Sequence, residues 1–545
     1  MNVAFVSYET PFAPCGGIAA VMGRLPAQMQ AASGWPTIVI TPFHHRIEKT
    51  ASLKRTHEAN VGVPYEGRTI SVNIFRYDDK VTWFFLLPED DRFFAGTRHP
   101  YDVPAGTLLR DALFFGAAAA KVLHVFGPGK RWNLMLQDWE AATTALALAD
   151  QPGTHHCFLT LHNSYDATVA IDDLTRVGVN PIACPGQSLL QRAIPLCESP
   201  VLTVSEQFAL DLTDDTLQTQ VLAPHLQSLL RGRIAGIDNG PFVDLAVNMY
   251  VLGEEGRRII DPLRAWKSEH RSNFLKALDH FRPSDEKPVW GDVTKFGRDD
   301  VPWFVMAGRD DSRQKGYDVA TAAATQFLER GGAGRFLFFP IPGDEGRDGL
   351  QFLRRFAGRF PEHVLAFPFI FREGFMSALR GARFGVMPSL YEPFGMANEF
   401  YLNGTVGIGR ATGGITQQIV PLRAAGCFGS SVQARSLYWH APSVQPTGLL
   451  FREADDLPSA PSDWIGINAA AYSTGDQHPD RVEERGRFAL FQSMVHELRA
   501  ALEDAARIAQ HQPHLYFRML AAGIAHIQQS FSWDRAAQEY VRQVV

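Results

Sequence analysis

The residues best placed to do chemistry lie in Pro388-Ser389-Leu390-Tyr391-Glu392-Pro393-Phe394-Gly395-Met396-Ala397-Asn398-Glu399. An apolar run, Phe384 to Met387, precedes them and is long enough for a buried strand. A Pro-Ser turn follows, then one carboxylate, Glu392, then Gly395, where a helix can begin. An α/β sheet presents its ligand contacts beyond the carboxyl ends of its strands. A helix N-terminus near Gly395 and Met396 offers N–H groups to an anion, and Glu392 can accept hydrogen bonds from hydroxyls. That combination suits a sugar nucleotide. The plainer reading is a strand–turn–helix joint with a surface glutamate.

A second grouping, Arg309-Asp310-Asp311-Ser312-Arg313-Gln314-Lys315-Gly316, follows the apolar run Pro302 to Gly308. Two cations, Arg309 and Lys315, at a strand's carboxyl end can neutralise a departing diphosphate without a metal. The same residues also read as a solvated charged loop. Near the N-terminus, Asn2 to Ser7 reads as a buried strand. It leads to Gly16-Gly17 and then to Ile18, Val21, Met22 and Leu25 at helical spacing. A strand, a Gly-Gly turn and a helix start allow backbone N–H groups to approach a phosphate or sugar. His162 ends the run Cys157 to Leu161, where a histidine is as readily a satisfied structural group as a functional one. Phe371, flanked by apolar residues, reads equally as a stacking ring or as core.

The elements that must position these residues alternate between strand and helix, the signature of parallel α/β architecture. Strands are expected at Thr37–Thr41, Thr69–Phe75, Asn133–Trp139, Val201–Ser205, 234–240, Phe336–Pro340 and Val364–Ile370. Helices are expected over Arg110–Phe126, Trp266–Phe281 and Asp534–Val545. The charged stretch from about 245 to 300 reads as a crossing between two domains. At 545 residues the chain exceeds one core. With 46% hydrophobic and 20% charged residues it has an ordinary globular composition. A net charge of −6 and no long basic run give nothing to attract nucleic acid. Five scattered cysteines, none spaced C-x-x-C, argue against a zinc site or disulfide framework and for a reducing compartment. No apolar run reaches the length of a membrane span, so a cytoplasmic location is expected. There is no D-x-D, G-x-S-x-G or H-E-x-x-H motif. Gly407-Ile408-Gly409 lacks the third glycine of a dinucleotide fingerprint.

Taken in order, these motifs resemble those of the bacterial glycogen and starch synthases, retaining glycosyltransferases of family five. The Glu392 stretch resembles their E-P-x-G-L segment, and Arg410-Ala411-Thr412-Gly413-Gly414-Ile415 their R-x-T-G-G-L. Pro14-Cys15-Gly16-Gly17-Ile18 resembles K-T-G-G-L, Gln137-Asp138-Trp139 the end of H-x-H-D-W, and Thr160 to Asn163 T-x-H-N. Residues 236–240 resemble G-I-x-N-G, nominating Asn239; residues 309–316 resemble S-R-L-x-x-Q-K-G with one extra residue. Thr447 to Phe451 and Phe531-Ser532-Trp533-Asp534-Arg535 resemble the late T-G-x-x-F and F-S-W-[DE]-R. The chain departs from the pattern at Pro14 (lysine in the family), Ala20 (aspartate), Gln137 (histidine) and Ala397 (commonly threonine). Glu399 lies one residue short of a second glutamate used by related families and is given no role.

The resemblance implies a GT-B fold: two Rossmann-like, doubly wound α/β domains facing across a cleft. Expected bounds are 1–245 for an acceptor-side domain, 246–525 for a nucleotide-sugar domain and 526–545 for a helix returning to the first. It implies transfer of glucose from ADP- or UDP-glucose to an α-glucan with retention, with no metal, no other cofactor and no protein nucleophile. Glu392, His162, Arg309 and Lys315 would be catalytic. Gly16, Gly17, Asn239, Phe371, Gly395, Met396, Thr412 and Gly413 would bind the donor, and Asp138 would lie on the acceptor side. Two alternatives stand beside this: another acceptor, such as a small glucoside or surface polysaccharide, or a homologue that binds glucan or nucleotide without turnover. Neither the donor base nor the oligomeric state follows from the sequence.

Overall fold

The computed structural model describes residues 1–544 except 46, 48–52, 105, 128–129, 151–154, 248–259, 298–300, 343–345, 455–460 and 472–477. The chain divides into two compact units, Met1–Phe242 with Phe531–Val545, and Val243–Ser530.

In the first unit the described strands are β1 (Asn2–Ser7), β2 (Thr37–Pro42), β3 (Thr56–Tyr65), β4 (Arg68–Asp78), β5 (Thr82–Pro88), β6 (Trp132–Gln137), β7 (His156–Leu161), β8 (Val201–Thr203) and β9 (Ile234–Gly236). They form one sheet in the order β3-β4-β5-β2-β1-β6-β7-β8-β9. All neighbours are parallel except β4, which runs against β3 and β5. β1 is apolar and buried over most of its length, as expected of a central parallel strand covered on both faces. β3 and β5 are not anticipated from sequence. β3 alternates between buried and exposed residues along the sheet edge, and its exposed half is too polar to stand out.

Successive strands move to opposite sides of β1, to β2 and then to β6. The carboxyl ends of β1 and β6 therefore flank a topological switch point. The expected strand Asn133–Trp139 stops at Gln137; Asp138 takes a left-handed φ of 65° and opens the helix Asp138–Ala147. The C-terminal helix Trp533–Val544 packs against the helix Leu25–Ser33, and the Trp533 indole Nε1 donates to the Pro241 carbonyl at 2.8 Å.

The second unit has β10 (Trp303–Arg309), β11 (Arg335–Ile341), β12 (Val364–Ala366), β13 (Phe384–Met387), β14 (Val406–Arg410) and β15 (Leu449–Phe451). All are parallel, in the order β12-β11-β10-β13-β14-β15, which is the 3-2-1-4-5-6 arrangement of the Rossmann fold. Its switch point lies between β10 and β13. The stretch read as a crossing is instead built into this unit. Its helix Ile260–His280 packs on the helix Phe375–Gly381, and the buried Lys267 ammonium donates to the carbonyls of Arg380, Ala382 and Gly404. Those carbonyls lead into β13 and β14, so Lys267 staples the amino ends of the sheet. Burial, and then Arg271 and Arg383, lower its pKa well below the ordinary lysine value.

Candidate functional site

At the switch point of the second unit, the two sequence groupings meet. Lys315 Nζ lies 2.7 Å from Glu392 Oε2, which also accepts from Ser389 Oγ at 2.9 Å. Gln314 Nε2 approaches Glu392 Oε1 at 3.4 Å, and the Leu390 N–H donates to the Gln314 carbonyl at 2.7 Å. The loop after β10 is thus sewn to the loop after β13 by main chain and side chain. Arg309 lies 3.3 Å from Asp311 and keeps 41% of its side chain exposed. The pairing that organises the site is Lys315–Glu392, with Arg309 at its edge.

The Gly395 and Gly413 backbones pack against the same residue, Glu392. Gly395 is left-handed (φ 89°), and so is Gly413 (φ 46°), where a β-carbon would overlap the Glu392 carbonyl. Only glycine allows the two loops to approach so closely. Met396 is the N-cap of the short helix Ala397–Leu402, and Thr412 that of Gly413–Gln418. Arg410, from the same motif as Thr412, points into the core. It holds Glu453 through Nε at 2.8 Å, donates Nη1 to the Leu390 carbonyl at 2.7 Å and sits over the Trp464 ring. Burial alone would raise the Glu453 pKa, but the Arg410 and Arg452 guanidiniums hold it at about 2.

Phe371 requires a correction. Its ring is only 1% exposed and stacks on Phe367 at 4.8 Å, with Phe274, Phe281 and Phe369 around it. A ring enclosed on all these sides has no face left for a nucleotide base.

The switch point of the first unit has a different chemistry. Glu9, just past β1, accepts through Oε1 from the N–H groups of Cys15 (2.9 Å), Gly16 and Ala19 (3.2 Å), and through Oε2 from Tyr101 Oη at 3.2 Å. This corrects the expectation for Gly16: its N–H is already spent on the protein's own carboxylate. The Gly16–Gly17 turn is therefore an anion nest with a resident anion. Asp138, past β6, accepts from the His162 N–H at 3.3 Å and from Asn163 Nδ2 at 2.8 Å. Burial, and then the Glu9 charge, raise its pKa to about 8 against the pull of those donors. Glu140, two residues along, is raised as well by burial and then by Asp138, and its Oε2 has no hydrogen-bond partner.

His162 sits among these groups with Nε2 at 2.9 Å from Gln137 Oε1. An amide oxygen only accepts, so Nε2 carries the proton and Nδ1 is left as the acceptor. Burial lowers the ring's pKa to about 3, which keeps it neutral. Asn239 is buried beyond β9, and its Oδ1 has no hydrogen-bond partner. The turn that carries it is anchored by Arg535, 3.8 Å from Asp238 and 3.5 Å from Glu206. The F-S-W-D-R motif therefore serves the Asn239 turn from the far end of the chain.

Sequence reasoning gave no role to Glu9, Tyr101, Glu140 or Gln137. Glu9 follows a strand directly and was legible as a strand-end carboxylate. Tyr101 is 92 residues from its partner, and no local pattern announces it. Among the described residues, no group of three or more His, Cys, Asp or Glu side chains is arranged to hold a metal ion. Nor is any helix long and apolar enough to cross a membrane.

Residues 2–228 match the starch synthase catalytic domain family. The glycogen synthase of Thermosipho africanus is 25% identical over 457 residues, covering 77% of this chain and 85% of that protein. That of Thioalkalivibrio sulfidiphilus is 24% identical, covering 99% and 98%. The chain is similar to the glycogen and starch synthases over most of its length. The fold agrees: the catalytic domain of starch synthase IV from Arabidopsis thaliana, solved with ADP and acarbose, superposes with a TM-score of 0.71 at 17% identity, covering 100% of this chain and 98% of that one. Sucrose-phosphate synthase from Thermosynechococcus elongatus follows with a TM-score of 0.51 at 16% identity, over 99% and 98% of the two chains. The chain is thus a glycogen/starch synthase-like glycosyltransferase of GT-B fold, with a Rossmann-like switch point in each unit.

Proposed function

We propose that the protein transfers glucose from ADP- or UDP-glucose to a hydroxyl of an α-glucan, with retention at the anomeric carbon. The observation that carries this reading is the Lys315–Glu392 pair, 2.7 Å apart at the carboxyl ends of β10 and β13. A diphosphate arriving there would find a lysine cation, a second cation at Arg309 and the N–H groups around Gly395, Met396, Thr412 and Gly413. Lys315 would exchange its partner for a phosphate oxygen, leaving Glu392 to accept from sugar hydroxyls. In the reaction the bond from the anomeric carbon to the phosphate oxygen breaks, and the bond to the acceptor oxygen forms on the same face. The acceptor's proton leaves with the diphosphate. To the first unit we assign the neutral partners: His162 Nδ1 and the orphan Asn239 Oδ1 as acceptors from hexose hydroxyls, with the buried acid cluster on the acceptor side.

The test is a screen of ADP- and UDP-glucose against glycogen, a maltooligosaccharide and a small glucoside, with free diphosphate and labelled product both measured. Diphosphate release with label in polymer is the expected result; label in a soluble glucoside would redirect the acceptor. Glu9 in the Gly16 nest favours one second reading, a protein that binds nucleotide or glucan without turnover, since the first unit's turn then offers no anion site. Nucleoside diphosphate binding with no release in any combination would select it.

A further inference from the structure

Arg485 ends the helix His478–Arg485 and is completely enclosed, as is its partner Asp318. Its Nε lies 3.0 Å from Asp318 Oδ2, and its Nη1 donates to the carbonyl of Ser312. Ser312 and Asp318 bracket the segment that carries Lys315. Inside that bracket the turn is tight: the Gln314 and Lys315 N–H groups donate to the Asp311 carbonyl at 3.0 and 2.8 Å, and the Arg313 N–H to Asp311 Oδ1 at 3.0 Å. On the opposite side the Gln314 carbonyl takes the Leu390 N–H. One guanidinium, 173 residues away in sequence, therefore grips both ends of a turn whose middle reaches Glu392.

We propose that Arg485 is a positioning residue for Lys315: it holds the 311–317 turn at the distance from which the ammonium reaches Glu392 and, by the function proposed above, the donor's diphosphate. A fully buried ion pair costs desolvation, and a hydrophobic pair of similar volume often stabilises as well. A guanidinium can do what such a pair cannot, namely fix two chemically different points, a carbonyl and a carboxylate, in one planar fork. A lysine at 485 could reach one of them.

The first measurement needs no activity. Peptide mass spectrometry follows the rate at which a small acylating reagent modifies Lys315 in the native full-length chain, in wild type, Arg485→Met and Arg485→Lys. Released from Glu392, Lys315 should react several-fold faster in Arg485→Met and less so in Arg485→Lys. The second measurement is calorimetric affinity for ADP and UDP in the same proteins with and without Lys315→Ala. Arg485→Met should weaken binding about tenfold in the wild-type background and by less than twofold beside Lys315→Ala, the non-additivity expected of two residues acting through one contact. Equal weakening in both backgrounds, or an unchanged Lys315 labelling rate, overturns the proposal. If Arg485→Met does not fold, Arg485→Lys carries both measurements. A wild-type protein that binds neither nucleotide refutes the donor reading, while the labelling rates still decide the role of Arg485.

Discussion

The two switch points share a topology and differ in chemistry. Between β10 and β13 a lysine meets a glutamate, and an arginine stands at the rim. Beside β1 and β6 three carboxylates, Glu9, Asp138 and Glu140, gather with a neutral histidine. A parallel sheet only dictates where side chains converge; what converges there depends on single residues in the following turns. A Gly-Gly turn on a helix start attracts anions in general. Here Glu9 fills it, so the same local geometry serves to bury an acid and not to bind a ligand. Under the proposed function the contrast would divide the labour of transfer, with the diphosphate at one sheet end and hydroxyls at the other.

That division can be broken most forcefully at Lys315. Lys315→Ala should lower turnover by roughly 10²–10³, the size typical of losing one charge-stabilising donor. Arg309→Ala, at the exposed rim, should cost clearly less. Diphosphate release at saturating donor measures both, and equal losses would mean that the Glu392 contact does not rank the two cations. In the first unit, Glu9→Ala strips the N–H groups of Cys15, Gly16 and Ala19 of their acceptor and should destabilise the protein by about 2–4 kcal/mol, the scale of leaving partly buried donors unsatisfied. Glu9→Gln, which keeps an acceptor oxygen, should lose much less in thermal unfolding. If nucleoside diphosphate affinity rose in Glu9→Ala, the nest would be a phosphate site blocked by its own glutamate.

The acid cluster also makes a pH prediction. The Asp138 pKa is raised from its ordinary 3.8 to about 8, so between these values the folded protein holds a proton that the unfolded chain has released. Stability should therefore fall as pH rises through this window, by at most about 1.4 kcal/mol per unit. Asp138→Asn removes the titrating group. Denaturant curves for the two proteins should draw together toward about pH 4 and separate toward about pH 8, with wild type the weaker; parallel curves would contradict the buried, protonated acid. The smallest effect belongs to Phe371. Phe371→Leu should cost about 1 kcal/mol of stability, as a core change of shape does, and leave ADP and UDP affinity within about twofold.

Much of this was legible in the chain. Apolar runs of four to seven residues ending in Glu392, Arg309, His162 or Asn239 announce parallel strands with chemistry at their tips, because a strand buried on both faces has to be continuously apolar. The ordered motifs carried the resemblance to the glycogen and starch synthases. The edge strand β3 was less legible, since half-exposed alternation resembles ordinary surface sequence. Phe371 was open from sequence because a ring among apolar neighbours carries no sign of which side of it is covered; five-ring packing settled it.

By itself, then, the sequence determined the periodicities: which segments are strands and which turns hold a carboxylate, a cation or paired glycines. Tertiary structure alone decided the partners. Glu9 reaches Tyr101 across 92 residues, Lys315 reaches Glu392 across 77, and Arg485 reaches Ser312 across 173. Hydrogen bonds and ion pairs act over about 3 Å. Which donor lies within that distance of which acceptor is set by how the sheets bring distant turns together, and no local pattern records it.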